Sequence, residues 1–170
     1  MKKKFFNAKI YRNEAATEII VENGKISQIG TDLPKCDEEI DLNGKLVLPP
    51  YVDPHLHLDY VYTLSELGQE GAGSGTLFEA IELWPQFKKT LTVESVKRLA
   101  MKGIKDEVSQ GVQHIRTHID VTDPNFTALK AMLEMKQDLK DIVDIQIVAF
   151  PQEGMYMYKG GRDLVEEALR

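Results

Sequence analysis

The sequence predicts an α/β protein in which a β-rich N-terminal segment, residues 1–45, precedes the first part of a (β/α)₈ barrel, residues 46–170. Beyond residue 45, buried-strand patterns alternate with helical stripes, which is typical of a parallel sheet. Polar side chains gather at the C-terminal ends of those strands, where the sites of such barrels are built. Three strands are predicted, whereas a complete barrel takes about 250 residues. We therefore expect the sequence to be the first part of a longer protein.

The N-terminal segment is expected to contain short strands joined by tight turns. Residues 17–22 are β-branched and apolar, Asn23-Gly24 is a strong hairpin signal, and residues 25–29 return in alternation. A second such pair, Asn43-Gly44, marks a turn before the first barrel strand. The acidic stretch at residues 37–39 is interpreted as a solvated loop and not as a metal site.

The first barrel strand lies within residues 46–59 and ends in His55-Leu56-His57-Leu58-Asp59. Because side chains alternate along an extended strand, His55, His57 and Asp59 are predicted to share one face. Two adjacent neutral imidazoles suit a divalent ion such as zinc or iron. A lone His-x-His also fits two unrelated strand histidines. Here, however, two of the four histidines stand beside an acidic residue, which favours a pair of metal ligands.

A loop and two helices are predicted next. Residues 60–75 form a long loop whose glycine-rich end, 71–75, is interpreted as a mobile cover, because it lacks the Gly-Lys-Ser/Thr ending of a phosphate loop. Thr76 and Glu79 form a predicted capping box that opens a helix to about residue 87. Gly111 ends the second helix, whose apolar stripe is Val93, Val96, Ala100, Ile104 and Val108.

The second barrel strand is predicted at residues 112–121. Its odd positions are largely apolar, and its even positions are His114, Arg116, His118 and Asp120. In a barrel these polar groups collect inside, near the strand ends. We interpret His118 and Asp120 as a structural hydrogen-bonded pair in preference to catalytic residues.

The remaining elements continue the alternation. Asp123-Pro124 is predicted to start a helix whose apolar stripe is Phe126, Leu129 and Leu133. The third strand is expected at residues 142–150, followed by a turn at 151–154 and a last helix at 162–170.

Composition narrows the function classes. The apolar and charged fractions, 42% and 28%, are those of a soluble globular protein. A net charge of −6 without a basic patch argues against a nucleic-acid partner. No run approaches the ~18 apolar residues of a membrane span, so no membrane partner is expected. One cysteine, Cys36, cannot form an internal disulfide, and a cytoplasmic location is expected.

Four stretches resemble a known family. Residues 49–59 resemble the first-strand signature of the amidohydrolase superfamily, and residues 74–79, 114–121 and 147–154 resemble the bacterial-type cytosine deaminases. The resemblance covers nearly all of residues 44–170 in order and spacing. The first 43 residues are similar more loosely, as expected for the family's β-sandwich portion.

The resemblance implies a metal-dependent hydrolase that deaminates cytosine, a small-molecule substrate, to uracil and ammonia by metal-activated water. His55 and His57 fall on the family's first two ligands to one divalent ion, iron or zinc. Gln152 falls on its pyrimidine-binding glutamine, and Phe150 and Leu77 fall near the pocket wall. Further ligands and the acid/base come from later strands in the family. No catalytic acid or base is therefore predicted here, and the 170-residue chain alone is expected to be inactive.

Several alternatives stay open. Taken without the resemblance, Gln152 also fits a turn residue and Phe150 a core residue. The chain also fits another amidohydrolase acting on a cyclic C–N bond, or a truncated scaffold without chemistry. The oligomeric state is open, with a homo-oligomer allowed for the full-length form.

Overall fold

The computed structural model describes residues 1–66 and 75–170. The glycine-rich cover predicted at 71–75 therefore lies almost wholly outside the described residues. The chain divides into two compact units, Met1–Pro49 and Pro50–Arg170. Among the described residues, no helix combines the length and the apolar character needed to cross a membrane.

The first unit, described throughout, is built of short strands in two sheets. One sheet has the order β4-β3-β1-β5, with β5 parallel to β1 and the other pairs antiparallel, and β2 pairs in parallel with β6. The strands are β1 (Lys2–Phe6), β2 (Lys9–Ile10), β3 (Glu18–Glu22), β4 (Lys25–Gly30), β5 (Glu38–Asp41) and β6 (Leu46–Val47).

Both Asn-Gly pairs form turns with left-handed backbone. Asn23 and Gly24 have φ of 52° and 75° and join β3 to β4, which confirms the predicted hairpin. Asn43 and Gly44 have φ of 51° and 72°. Their flanking strands, β5 and β6, belong to different sheets, so this second turn redirects the chain without making a hairpin.

The second unit is a parallel sheet with helices. Its strands have the order β7-β8-β9 and both pairings are parallel, which confirms the α/β class. Within the described residues the sheet is open and no closed barrel forms. The strands are β7 (Tyr51–Leu56), β8 (Val112–Asp120) and β9 (Asp144–Phe150), and the helices are α1 (Leu77–Phe87), α2 (Val93–Ser109), α3 (Thr127–Asp138) and α4 (Gly161–Ala168).

The core of this unit lies between β8 and the helices α2 and α3. In the middle of β8, Ile115, Thr117 and Ile119 are at most 1% exposed, as the alternation predicts, whereas His114 and Arg116 are exposed. The predicted stripe of α2 faces them, and Gly111 ends the connection with a φ of 93°. The core positions on the two helices include Val96, Ala100, Ile104, Ala128, Leu129, Ala131, Met132 and Met135.

The predicted start of α3 was wrong. The helix begins at Thr127, because Phe126 adopts a left-handed conformation with φ of 50° that breaks the helical path. The N-cap residue is therefore Phe126 and not the predicted Asp123, although Asp123 Oδ2 still accepts from the Thr127 N–H, the first of the helix, at 2.9 Å. The predicted stripe was also wrong at Leu133, which is 54% exposed.

Candidate functional site

The first strand ends earlier than the sequence predicts. β7 stops at Leu56, and residues 58–62 form a turn, so Asp59 does not share a strand face with the histidines. His55 and His57 nevertheless lie side by side, with ring centroids 5.3 Å apart. The predicted pair is therefore adjacent in space, although only His55 belongs to the strand.

A third histidine joins this pair from β8. The ring of His118 stacks on His55 with centroids 4.0 Å apart and lies 5.7 Å from His57. The parallel register of β7 and β8, which sets Leu56 opposite Thr117, brings these strand ends together. The predicted His118–Asp120 pair does not form. Asp120 instead accepts hydrogen bonds from Trp84, Lys88 and Thr122.

The three sequence-predicted substrate residues lie on three different segments of the second unit. Phe150 ends β9, and its ring lies edge-on 5.3 Å from His57 and 5.9 Å from His118. Gln152 follows in the next turn, half-buried, with its N–H 3.4 Å from Asp120 Oδ1. Leu77 is the first residue of α1 and is 72% exposed.

The histidines have the chemistry of metal ligands. Burial lowers the pKa of His57, and the nearby His55 and His118 rings lower it further, which favours the neutral imidazole that binds metals. The Nδ1 atoms of His57 and His118 are buried without a hydrogen-bond partner in the described structure. Within residues 1–66 and 75–170, however, no three His, Cys, Asp or Glu side chains converge enough to hold an ion. His55 and His57 thus fit part of a metal site.

Asp59 lies buried behind the histidines. Its Oδ2 accepts from the Asp120 N–H at 2.8 Å, and its Oδ1 lies 3.9 Å from His57 Nδ1. Burial raises the pKa of Asp59 to about 7, with a further contribution from the Asp120 charge. The carboxyl group is thus held by the end of β8 with one oxygen directed toward His57.

A charged cluster that sequence analysis missed lies beside the histidines. We call Lys88, Asp120, Thr122 and Glu153 the Lys88 cluster. Lys88 Nζ lies 3.1 Å from Asp120 Oδ2 and 2.7 Å from the Thr122 carbonyl, and it also contacts Glu153 Oε1. These partners are 32 to 65 residues from Lys88 in the chain, so no local periodicity could reveal them.

An aromatic pair borders the Lys88 cluster. Trp84 Nε1 donates to Asp120 Oδ2 at 2.7 Å, and the indole stacks on Tyr60 with centroids 3.6 Å apart. Burial raises the pKa of the Tyr60 hydroxyl. This pair packs α1 against the chain that leaves β7, beside the carboxylate at the end of β8.

Comparison with known proteins gives consistent matches. Residues 38–168 match the model of the Amidohydrolase family. The N-isopropylammelide isopropyl amidohydrolase of Pseudomonas sp. (strain ADP) is 32% identical over 167 residues, covering 96% of this chain and 41% of that protein.

Two solved structures are similar over nearly the whole chain. The structure of 5-methylcytosine deaminase from Klebsiella pneumoniae liganded with 5-fluorocytosine has a TM-score of 0.86 at 42% identity, covering 98% of this chain and 40% of that one. The structure of N-isopropylammelide isopropylaminohydrolase from Burkholderia multivorans has a TM-score of 0.80 at 25% identity, covering 99% and 42%. The chain thus spans about two fifths of the length of these relatives.

Proposed function

The chain belongs to the amidohydrolase family, and we propose that it is the N-terminal part of a metal-dependent hydrolase that deaminates cytosine or a closely related pyrimidine. One observation carries the proposal, namely 42% identity over 98% of the chain to a 5-methylcytosine deaminase. In this proposal β7, β8 and β9 are the first strands of a (β/α)₈ barrel, the first unit belongs to a β-sandwich, and the complete protein is cytoplasmic.

The proposed metal, iron or zinc, is held by His55 and His57 together with ligands from later strands. A bound divalent ion supplies a nucleophile at neutral pH because it lowers the pKa of water. His55 and His57 suit this role because their rings are adjacent and the pKa of His57 is lowered. Phe150, whose ring stands edge-on to His57, is proposed to cover that side of the histidines when substrate binds.

Gln152 is the proposed contact to the substrate ring. Its side-chain amide offers both a donor and an acceptor, which suits the alternating polar edge of a pyrimidine. The turn that carries it follows directly from Phe150 at the end of β9. Leu77, at the exposed start of α1, is proposed as part of the pocket wall.

A second candidate is the removal of an alkylamine from a triazine-type ring. The Pseudomonas relative named for N-isopropylammelide matches 96% of this chain, and the Burkholderia structure supports the same alternative. Both candidate reactions hydrolyse a C–N bond on a nitrogen heterocycle. The two candidates therefore differ in the substrate and not in the type of reaction.

The test assays the full-length protein with cytosine, 5-methylcytosine, 5-fluorocytosine and N-isopropylammelide. We expect kcat/KM for at least one pyrimidine to exceed that for N-isopropylammelide by at least about 100-fold, because a polar pocket rejects a ring with mismatched donors and acceptors. The opposite order would favour the second candidate, and turnover of none of the four would contradict both.

Two variants separate the proposed roles. His57→Ala should lose bound metal and turnover together, whereas Gln152→Ala should keep its metal and lose about tenfold or more in kcat/KM for the pyrimidine. His114→Ala is the matched control, because this histidine is on β8 but is half exposed and pairs with Asp144 at 3.4 Å. Full metal content and rate in His57→Ala would contradict the ligand assignment.

A further inference from the structure

Lys88 is a nearly buried cation directly after α1. Its side chain is 10% exposed, and its ammonium lies 5.4 Å from the ring centroid of Tyr158. An ammonium has three hydrogens to donate. Acceptors for them are present on Asp120, on the carbonyl and hydroxyl of Thr122, and on Glu153. The donor capacity of Lys88 is therefore fully used within the protein.

The partners of Lys88 lie where the sheet no longer holds the backbone. β8 ends at Asp120 and β9 ends at Phe150, so the turn at residues 151–154 follows the last paired residue. Inside the turn, the Gly154 N–H donates to the Pro151 carbonyl at 2.8 Å. Two contacts join it to distant residues. The Gln152 N–H, which also donates to the Phe150 carbonyl at 3.1 Å, lies 3.4 Å from Asp120 Oδ1, and Glu153 pairs with Lys88.

Both contacts depend on the positive charge of Lys88. Asp120 is 2% exposed and has an acidic neighbour, Glu153, across Lys88. Without the ammonium, the two carboxylates would repel each other, and Glu153, which is 28% exposed, has solvent available to it. Movement of Glu153 would carry the adjacent Gln152 with it.

We infer that Lys88 is a positioning residue, which holds Asp120 and Glu153 and thereby fixes the turn that places Gln152 against the polar edge of the substrate ring. The identity of that ring rests on the proposed function, whereas the placement of the turn does not. Lys88 acts through its neighbours, so it should affect substrate affinity more than the chemical step.

The experiment compares Lys88→Met with Lys89→Met in the full-length protein. Lys89 is the matched control because it is the next residue and is exposed, with Nζ 3.3 Å from Gln86 Oε1. Lys88→Met should raise KM for the pyrimidine about tenfold with kcat within about threefold, and it should keep its metal. On a Gln152→Ala background the same change should add little to KM, because both act through one contact.

Glu153→Ala gives a second variant that keeps the buried lysine and should also raise KM. An unchanged KM in both variants, a joint loss of kcat and metal, or a fully additive double variant would overturn the inference. If the parent protein turns over no pyrimidine, the proposed function fails, and hydrogen exchange still decides the positioning role. Peptides covering residues 151–158 should exchange faster in Lys88→Met than in Lys89→Met, and equal exchange would overturn it.

Discussion

Lys4 in the first unit and Lys88 in the second have surroundings of similar composition but different position. Each side chain is 10% exposed, and each ammonium contacts two carboxylates and one backbone carbonyl. Lys4 lies inside β1, with Glu18 on the neighbouring β3 and Glu39 on the neighbouring β5. Lys88 lies outside any strand, with its carboxylates at the end of β8 and in the turn after β9.

The different positions of the two lysines show under which condition an ion pair helps to fix the path of the backbone. Around Lys4, the hydrogen-bonded ladders already fix all three strands, so the ion pairs join residues whose places are set by the backbone. Around Lys88, the strand pairing has ended at Phe150. The turn keeps its own backbone hydrogen bonds, and side-chain contacts connect it to Asp120 and Lys88. The same residue types therefore stabilise a sheet in one unit and shape a candidate site in the other.

The largest effect should follow Lys88→Met. We expect a loss of about 3 kcal/mol in the free energy of unfolding, because the change leaves the buried Asp120 carboxylate without its cation. Urea denaturation of this variant and of Lys89→Met would measure it. Equal losses in the two variants would contradict the role given to Lys88, because they would show that burial adds nothing to its contacts.

Asp123 is a carboxylate that forms no ion pair with a lysine in the part of the chain that the structure describes, and it accepts hydrogen bonds from the backbone N–H groups of Asn125 and Thr127. Asp123→Ala should cost about 1 kcal/mol, as for the loss of a side-chain acceptor at a helix N-terminus, whereas Asp123→Asn should cost less because the asparagine amide oxygen can also accept. Denaturation of both variants measures the difference. A loss as large as that of Lys88→Met would show that backbone partners matter as much as the buried cation.

The pH dependence of the Asp123 effect has a definite sign. Burial acts to raise the pKa of Asp123, but the Thr127 and Asn125 N–H groups lower it, and the net pKa is lowered. Its stabilising effect is therefore present above the ordinary aspartate pKa of about 3.9 and is lost as the pH falls through the lowered value. The stability difference between the parent and Asp123→Ala should shrink on acidification and should not grow.

The smallest effect should follow Lys4→Met. A hydrogen bond from Lys4 lowers the pKa of Glu39, so this contact stabilises the fold above the ordinary glutamate pKa and is lost as the pH falls through the lowered value. In Lys4→Met, the hydrogen-exchange rates of the β1 and β5 amides should change only slightly. This change should be smaller than the change at residues 151–158 in Lys88→Met. The Lys4 effect should also fade at high salt, because the Glu39 side chain is 33% exposed and its charge is screened, whereas Asp120 beside Lys88 is 2% exposed.

Patterns of period two and tight turns made much of the fold predictable from the sequence. The alternation of Ile115, Thr117 and Ile119 against His114 and Arg116 predicts the buried and exposed faces of β8, and Asn23-Gly24 predicts its hairpin. The adjacency of His55 and His57 is also confirmed. These features depend on neighbours in sequence, which a single chain displays directly.

Features set by tertiary contacts could not be predicted in this way. The strand was expected to continue to Asp59, but the chain turns after His57, and the Asp59 carboxylate binds the Asp120 N–H across 61 residues. Asp120 in turn pairs with Lys88, so His118 is left to stack on His55. The hydrogen-bond and ring partners of these side chains depend on which groups are nearest after folding. The spacing of residues in the sequence does not contain that information.

Trp84, the one tryptophan of this sequence, gives the Lys88 cluster an optical reporter. Its indole is 3% exposed, stacks on Tyr60 and donates to Asp120, so its emission arises from a buried, polar and charged environment. A movement that separates Asp120 from the indole changes the electric field at the excited indole. It also changes the exposure of the indole to water. Fluorescence spectra of the 170-residue chain would therefore report on the Lys88 cluster without a label. Quenching by iodide would measure how far the Trp84 indole becomes exposed to solvent.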